Sequence, residues 1–173
     1  MSGRIFLFGD DIDTDQLAPG QYMRGGIAAL AAHCLEATRP DFAINVQPGD
    51  IIVAGRNFGT GSSREQAVEA LRYLQVAGVI ALSFAGIFYR NAINLGLPVL
   101  IVTSIDGVKD GDKASLDLTG SVLNLIVRNT DIALEPMPEN LQEILESGGL
   151  VQYLKKRLAA ESKEQKNDIE SSS

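Results

Sequence analysis

The chain has 173 residues, 45% of them hydrophobic and 21% charged, a composition that fits one folded domain with a real core and excludes a disordered chain. Its net charge of −7, from 22 acidic against 15 basic residues, repels phosphate backbones and argues against nucleic acid as a partner. Any anion site must then be local, built from a few aimed donors.

Arg4-Ile-Phe-Leu-Phe8 reads as a buried strand, ended by Gly9 and the acidic turn Asp10-Asp-Ile-Asp-Thr-Asp15. Its apolar run is too short for a signal peptide, and no other run approaches membrane-spanning length, so a cytoplasmic protein with no membrane partner is expected. Pro19, Gly20, Gly25 and Gly26 punctuate a loop, and an alanine-rich helical stretch over residues 27–37 follows. That stretch holds the single histidine, His33, and the single cysteine, Cys34. One cysteine rules out a disulfide framework, a CxxC pair or a self-contained Fe–S ligand set. His33 reads as a packed or surface side chain rather than a zinc ligand or triad member.

Residues 51–54 form a short strand, and a glycine-rich loop over residues 55–61 enters a helix over residues 63–75. A strand over 78–82, a helix over 85–95 and a strand over 97–102 complete the alternation. Such βαβ units predict an α/β fold whose sheet is mixed and partly parallel. Past residue 105, strands over 113–118 and 122–127 flank Thr119-Gly-Ser121 as a hairpin. Pro136 and Pro138 precede two amphipathic helices separated by Gly148-Gly149. Their stripe (Leu141, Ile144, Leu145, Leu150, Val151, Leu154, Leu158) is expected to pack into the core. Residues 1–160 are read as a single domain and residues 161–173 as a disordered polar tail.

The most informative segment is Gly55-Arg-Asn-Phe-Gly-Thr-Gly-Ser-Ser-Arg-Glu-Gln66, running from strand into helix. Glycines let the backbone approach a ligand, and a helix N-terminus offers unpaired N–H groups to an anion. There is no Gly-Lys-Ser/Thr for a Walker loop, Arg64 stands where a dinucleotide fingerprint needs its third glycine, and neither serine has the glycine of a nucleophile elbow. Ser62-Ser-Arg-Glu65 is a capping box, and Ser63-Arg-Glu-Gln66 is one in the next frame. Only one serine is needed as a cap. The other hydroxyl, with Arg64, would face the same mouth and serve as a base beside a bound carboxylate if N–H groups and the guanidinium stabilised its alkoxide. Asp11, Asp13 and Asp15 match the first ligands of a calcium loop, but Gln16 and Tyr22 replace its required glycine and last acid. No metal is expected there; a turn paired with backbone amides or an arginine is.

Three segments in order, Asp11-Ile-Asp-Thr-Asp15, Gly59-Thr-Gly-Ser-Ser-Arg-Glu65 and Ser83-Phe-Ala-Gly-Ile-Phe-Tyr-Arg-Asn-Ala-Ile-Asn-Leu-Gly-Leu-Pro98, resemble the aconitase swivel-domain family. Within it the likeness is to the small subunits of 3-isopropylmalate dehydratase. The resemblance covers residues 4–102 closely and the last third in general character. It implies a swivelling β/β/α domain that docks on a large subunit carrying a [4Fe–4S] cluster, with no cofactor on this chain. It implies a hydro-lyase that isomerises isopropylmalate by dehydration and rehydration in leucine biosynthesis. Ser62 matches the catalytic base; Ser63, Arg64 and Arg24 match substrate-binding positions; Thr14, Asp15, Gly59 and Gly61 are expected just behind them. The chain departs from the usual pattern at Thr60, Gln66 and Gly86, where cysteine, histidine and arginine are common, and none of these is the base. Two further readings are the same chemistry on homoaconitate, 2,3-dimethylmalate, citraconate or maleate, and a non-catalytic regulatory binding module.

Overall fold

The computed structural model describes residues 2–171, with residues 163–171 described as helical backbone alone. Strands β1 (Ser2–Leu7), β2 (Ile51–Ala54), β3 (Gly78–Ala81) and β4 (Val99–Ile101) lie parallel, in register Ile5 with Ile51, Ile52 with Val79 and Ile80 with Leu100. Every residue of β2 and β3 is buried, as expected of parallel strands covered on both faces. On the other side of β1 the sheet turns antiparallel through β5 (Lys113–Asp117), β6 (Val122–Leu125) and β7 (Thr130–Ala133). The order across the seven-stranded sheet is β4-β3-β2-β1-β5-β6-β7. The α/β class and the mixed, partly parallel sheet expected from sequence are both present.

The helices are α1 (Thr14–Leu17), α2 (Gly26–Ala32), α3 (Phe42–Asn45), α4 (Gln66–Tyr73), α5 (Gly86–Leu95), α6 (Glu139–Glu146) and α7 (Leu150–Ser171), with a 3-10 segment at Gly20–Gly25. Helix α4 packs against α1, α2 and α5, and α5 in turn meets α6 and α7. Phe6, Phe42 and Phe58 are among the largest fully buried side chains, and Phe6 meets Phe42 edge-on at 5.0 Å. The buried carboxylate of Asp50 accepts N–H bonds from Arg4 (2.7 Å) and Gln47 (2.9 Å), which is how a charge is kept at the start of β2.

Several expectations need correcting. The helix read over 63–75 begins at Gln66; Glu65 takes the N-cap position without a side-chain cap bond, so neither serine capping box forms. The physical reason is that Gly61 (φ +107°) sends the backbone away from helical geometry, and the Ser62 N–H is already held by Thr14. The stretch 27–37 is helical only to Ala32, because Leu35 turns to φ +61° and gives its N–H to Gln16 O. Part of the acidic turn is α1, closed by a capping box between Asp13 and Gln16. The hairpin is extended by β7. Leu145 is buried, but Val151, Leu154 and Leu158 are 57%, 46% and 62% exposed, so the second half of the apolar stripe is not core. With 22 residues, α7 runs for roughly 33 Å at 1.5 Å per residue and outreaches the shorter helices α5 and α6 beneath it. It carries residues 161–171, read from composition as a disordered tail, in helical form; glutamate, glutamine and lysine favour helix there without an apolar stripe. Residues 172–173 of that tail lie outside the described residues.

Candidate active site

Three loops leave the carboxyl ends of β1, β2 and β3 on the same edge of the parallel strands, the place where open α/β sheets receive ligands. Backbone and short polar side chains tie them together. The Asp10 carboxylate accepts from Arg56 N–H (2.7 Å), Asn57 Nδ2 donates to Asp11 (2.9 Å), and Asn57 N–H donates to Ser83 Oγ (2.9 Å). Phe58 N–H then reaches Ser83 O, and Ala85 N–H reaches Phe58 O. The acidic turn therefore pairs with backbone amides, and through Asp15 with the Arg64 guanidinium, as its sequence suggests. Among the described residues no cluster of three or more histidine, cysteine or acidic side chains is placed to hold a metal.

The glycine loop is held against two neighbours. Gly59 lies at φ +80°, and a Cβ there would stand 2.1 Å from the Phe88 ring carbon. A Cβ on Gly61 would stand 2.9 Å from Thr14 Oγ1. Gly59 N–H donates to Ile12 O and Thr14 N–H to Thr60 O, so the loop runs alongside the start of α1.

On this base stand the serines. Ser62 is exposed, outside the helix, with its N–H donating to Thr14 Oγ1 at 2.9 Å and its Oγ 3.2 Å from the same atom. Thr14 is 1% exposed. Ser63 is exposed, and its carbonyl accepts from Asn91 Nδ2 at 3.3 Å. Half-buried Arg64 donates through Nη1 to the exposed carboxylate of Asp15 at 2.6 Å. That single-point pair leaves most of the guanidinium's donors available.

The structure thus brings together Ser62, Ser63, Arg64, Thr14, Asp15, Gly59 and Gly61. Arg24 stands apart: it rides the last turn of the 3-10 segment, exposed, with no hydrogen-bond or carboxylate partner among the described residues. The first residue of that segment, Gly20, lies beside Arg64, whose Nη1 is 3.8 Å from where a Gly20 Cβ would be. Sequence reasoning passed over Asn91, Ser83 and Phe88 as individuals, although all three fall inside the Ser83–Pro98 stretch. It also expected helix-end N–H groups to face Ser62, where the structure supplies the Thr14 hydroxyl.

His33 stacks on Tyr22 with ring centroids 3.6 Å apart and bonds Glu36 through Nδ1 at 2.5 Å, the packing role its sequence context suggests. Cys34 is buried, and burial pushes its thiol well up from its ordinary value, away from the thiolate a cluster would need. With one inert thiol and no acid or histidine cluster, the described residues do not fit an iron–sulfur cluster. A cleft of about 600 Å³ lined by Arg4, Asn45, Asp50 and Lys113 lies at the opposite end of the parallel strands, away from the serines. No helix among the described residues is long and apolar enough to cross a membrane.

Residues 34–103 match the family model of the aconitase C-terminal domain. The chain is 48% identical over 156 residues to 3-isopropylmalate dehydratase small subunit 1 of Thermotoga maritima, covering 89% of this chain and 94% of that one. It is 50% identical over 155 residues to the methanogen homoaconitase small subunit of Methanothermobacter thermautotrophicus, covering 88% and 90%. A crystal structure of 3-isopropylmalate dehydratase from Methanocaldococcus jannaschii superposes with a TM-score of 0.88 at 48% identity, over 94% of this chain and 98% of that one. This chain belongs to the aconitase C-terminal domain family, as a hydro-lyase subunit of the 3-isopropylmalate dehydratase small-subunit type, with methanogen homoaconitase small subunits as near relatives.

Proposed function

We propose that this chain is the small subunit of a two-chain hydro-lyase that converts 2-isopropylmalate to 3-isopropylmalate by dehydration and rehydration, as a step of leucine biosynthesis. A large subunit is its partner, and the [4Fe–4S] cluster of the pair belongs to that subunit. The observation that carries the reading is Ser62. Ser62 is exposed and released from any capping duty, and two residues on, Arg64 has donors to spare beyond its bond to Asp15.

In dehydration Ser62 Oγ, as alkoxide, takes the proton from the carbon next to a carboxylate. The C–H electron pair becomes the new double bond, and the hydroxyl on the adjacent carbon leaves with its bonding pair as hydroxide, which takes a proton from solvent to become water while Ser62 keeps the abstracted one. Rehydration runs the same proton transfer backwards with the hydroxyl on the other carbon. Arg64 holds a substrate carboxylate, and Asp15 aims Arg64 from its far side. Ser63, pinned at its carbonyl by Asn91, offers its hydroxyl and N–H beside the same carboxylate.

Ser62→Ala tests this in the reconstituted two-subunit enzyme. Loss of a positioned base should lower kcat by ~10²–10⁴. Because Ser62 caps no helix, the only structural loss is the bond between its Oγ and Thr14, ~1–3 kcal/mol, and the subunit should still fold and dock. Retained activity with early melting would remove Ser62 from the chemistry.

A second substrate reading is favoured by one observation: Arg24 has no carboxylate partner among the described residues, so it is available to one on the substrate. If that is an extra carboxylate, a homoaconitate-type substrate fits better than one ending in an isopropyl group. Arg24→Val, assayed on isopropylmalate, dimethylmalate, citraconate and homoaconitate, separates the two. A shift of tenfold or more toward isopropylmalate, ~1.4 kcal/mol, means Arg24 reads the substituent. An equal loss on all four means it grips a carboxylate they share.

A further inference from the structure

Thr14 occupies the first position of α1, and its hydroxyl is buried against Ser62. A threonine hydroxyl carries one proton and two acceptor sites. One acceptor site is used by the Ser62 N–H at 2.9 Å. The proton also needs an acceptor, since a buried hydroxyl that donates to nothing loses its hydration without return. Inside a helix it could go to the carbonyl one turn back, but at the first helical position no such turn exists. Its recorded side-chain partner is Ser62 Oγ, at 3.2 Å.

We infer that Thr14 donates its hydroxyl proton to Ser62 Oγ and is the positioning residue that makes Ser62 usable as a base. This rests on Ser62 being the base. The direction of the bond has two consequences. The proton of Ser62 itself is turned away from Thr14, toward the open side where substrate arrives. When that proton leaves, the alkoxide keeps a hydrogen bond from a buried neutral donor, and such bonds strengthen when the acceptor becomes charged. The loop is shaped for this contact: Gly61 has φ +107°, and a Cβ on it would crowd Thr14 Oγ1.

The test uses the reconstituted two-subunit enzyme with Thr14→Val, which keeps the shape and removes the hydroxyl, and Thr14→Ser, which keeps the hydroxyl. Thr14→Val should lower kcat about 10- to 100-fold, the range of one hydrogen bond to a charged group, with KM within about threefold. The limb on which kcat rises with pH should move to higher pH, because the alkoxide has lost a donor. The deuterium isotope effect on the abstracted proton should grow, and Thr14→Ser should restore all three readouts. Wild-type kcat and pH profile in Thr14→Val would overturn the inference, as would a loss that Thr14→Ser shares or one confined to KM and melting temperature. Ser62→Ala run alongside separates the two ideas: if it stays active, the base assignment fails, and if it is dead while Thr14→Val is normal, only the Thr14 role fails. Should Thr14→Val not fold, proton NMR of the unaltered subunit decides. A slowly exchanging Thr14 hydroxyl proton with a cross-peak to the Ser62 Hβ protons is expected, and a Thr14 hydroxyl proton facing any other group overturns the inference.

Discussion

The two halves of the sheet are built by different rules. In the parallel half β2 and β3 are buried along their whole length, and each strand feeds a loop at the edge where Asp10–Thr14, the glycine loop and Ser83 converge. In the antiparallel half burial alternates or fades, from Ala114 and Leu116 in β5 to β7, where Ile132 is only half-buried and its neighbours are exposed. None of the candidate site residues comes from β5, β6 or β7. The family model likewise ends at residue 103, before the antiparallel strands begin. A covered sheet holds loop ends still, and the candidate site stands where the cover is complete.

That contrast can be broken by substitution. Ile80→Ala removes a fully packed side chain from β3 and should cost ~2–5 kcal/mol in urea unfolding. Ile132→Ala, on the edge strand, should cost ~1 kcal/mol or less, in proportion to the smaller area it buries. Equal losses would mean that the antiparallel half is as integral to the fold as the parallel one.

The smallest effect concerns the joint between the halves. Asp110, in the loop before β5, receives both Nη groups of Arg39 and the Leu7 N–H. The Arg39 bond, with help from Leu7 N–H and against partial burial, holds its carboxyl below the usual carboxylate value. A depressed value stabilises the fold above the unfolded-state pKa of about 3.9, and the gain is lost as pH falls through the lower folded value. Its side chain is 47% exposed, so Asp110→Asn should cost ~1 kcal/mol or less at pH 7. The gap between wild type and variant should begin to narrow near pH ~4 and close as pH falls through the lowered folded value; a gap that does not narrow there would mean the carboxylate charge is not what ties the halves.

Much of this architecture was legible in the chain. Ile51-Ile-Val-Ala54 and the helix at Gly86–Leu95 have unbroken periodicity between glycine punctuation, and both fall within a residue or so of where they were read. Strand β7 was not legible, because Thr130-Asp-Ile-Ala133 has one large apolar residue and no alternation to reveal it. The exposed stripe on α7 was misread because spacing shows that a helix has an apolar face, and only packing shows whether anything covers it. At the site, residue types and order pointed to Ser62, Ser63 and Arg64. The Ser62–Glu65 pattern also spelled a helix cap, and nothing local in the sequence decides between cap and free hydroxyl. The decision is made 48 residues away, by Thr14 taking the Ser62 N–H.

The tight fit of the glycine loop sets where this site can change. Gly59 has no room for a methyl group against Phe88, and Gly61 has none against Thr14, so neither glycine of the loop bearing Ser62 can be changed without moving a neighbour. The 3-10 segment is looser at Gly20, where a Cβ would meet only Arg64 Nη1, at 3.8 Å. A library meant to redirect this subunit to a new carboxylate should therefore randomise residues 20–24 and leave residues 59–64 untouched. Variants of the first set would keep the proposed base, Ser62, in place, while variants of the second would disturb it before any new specificity could be selected.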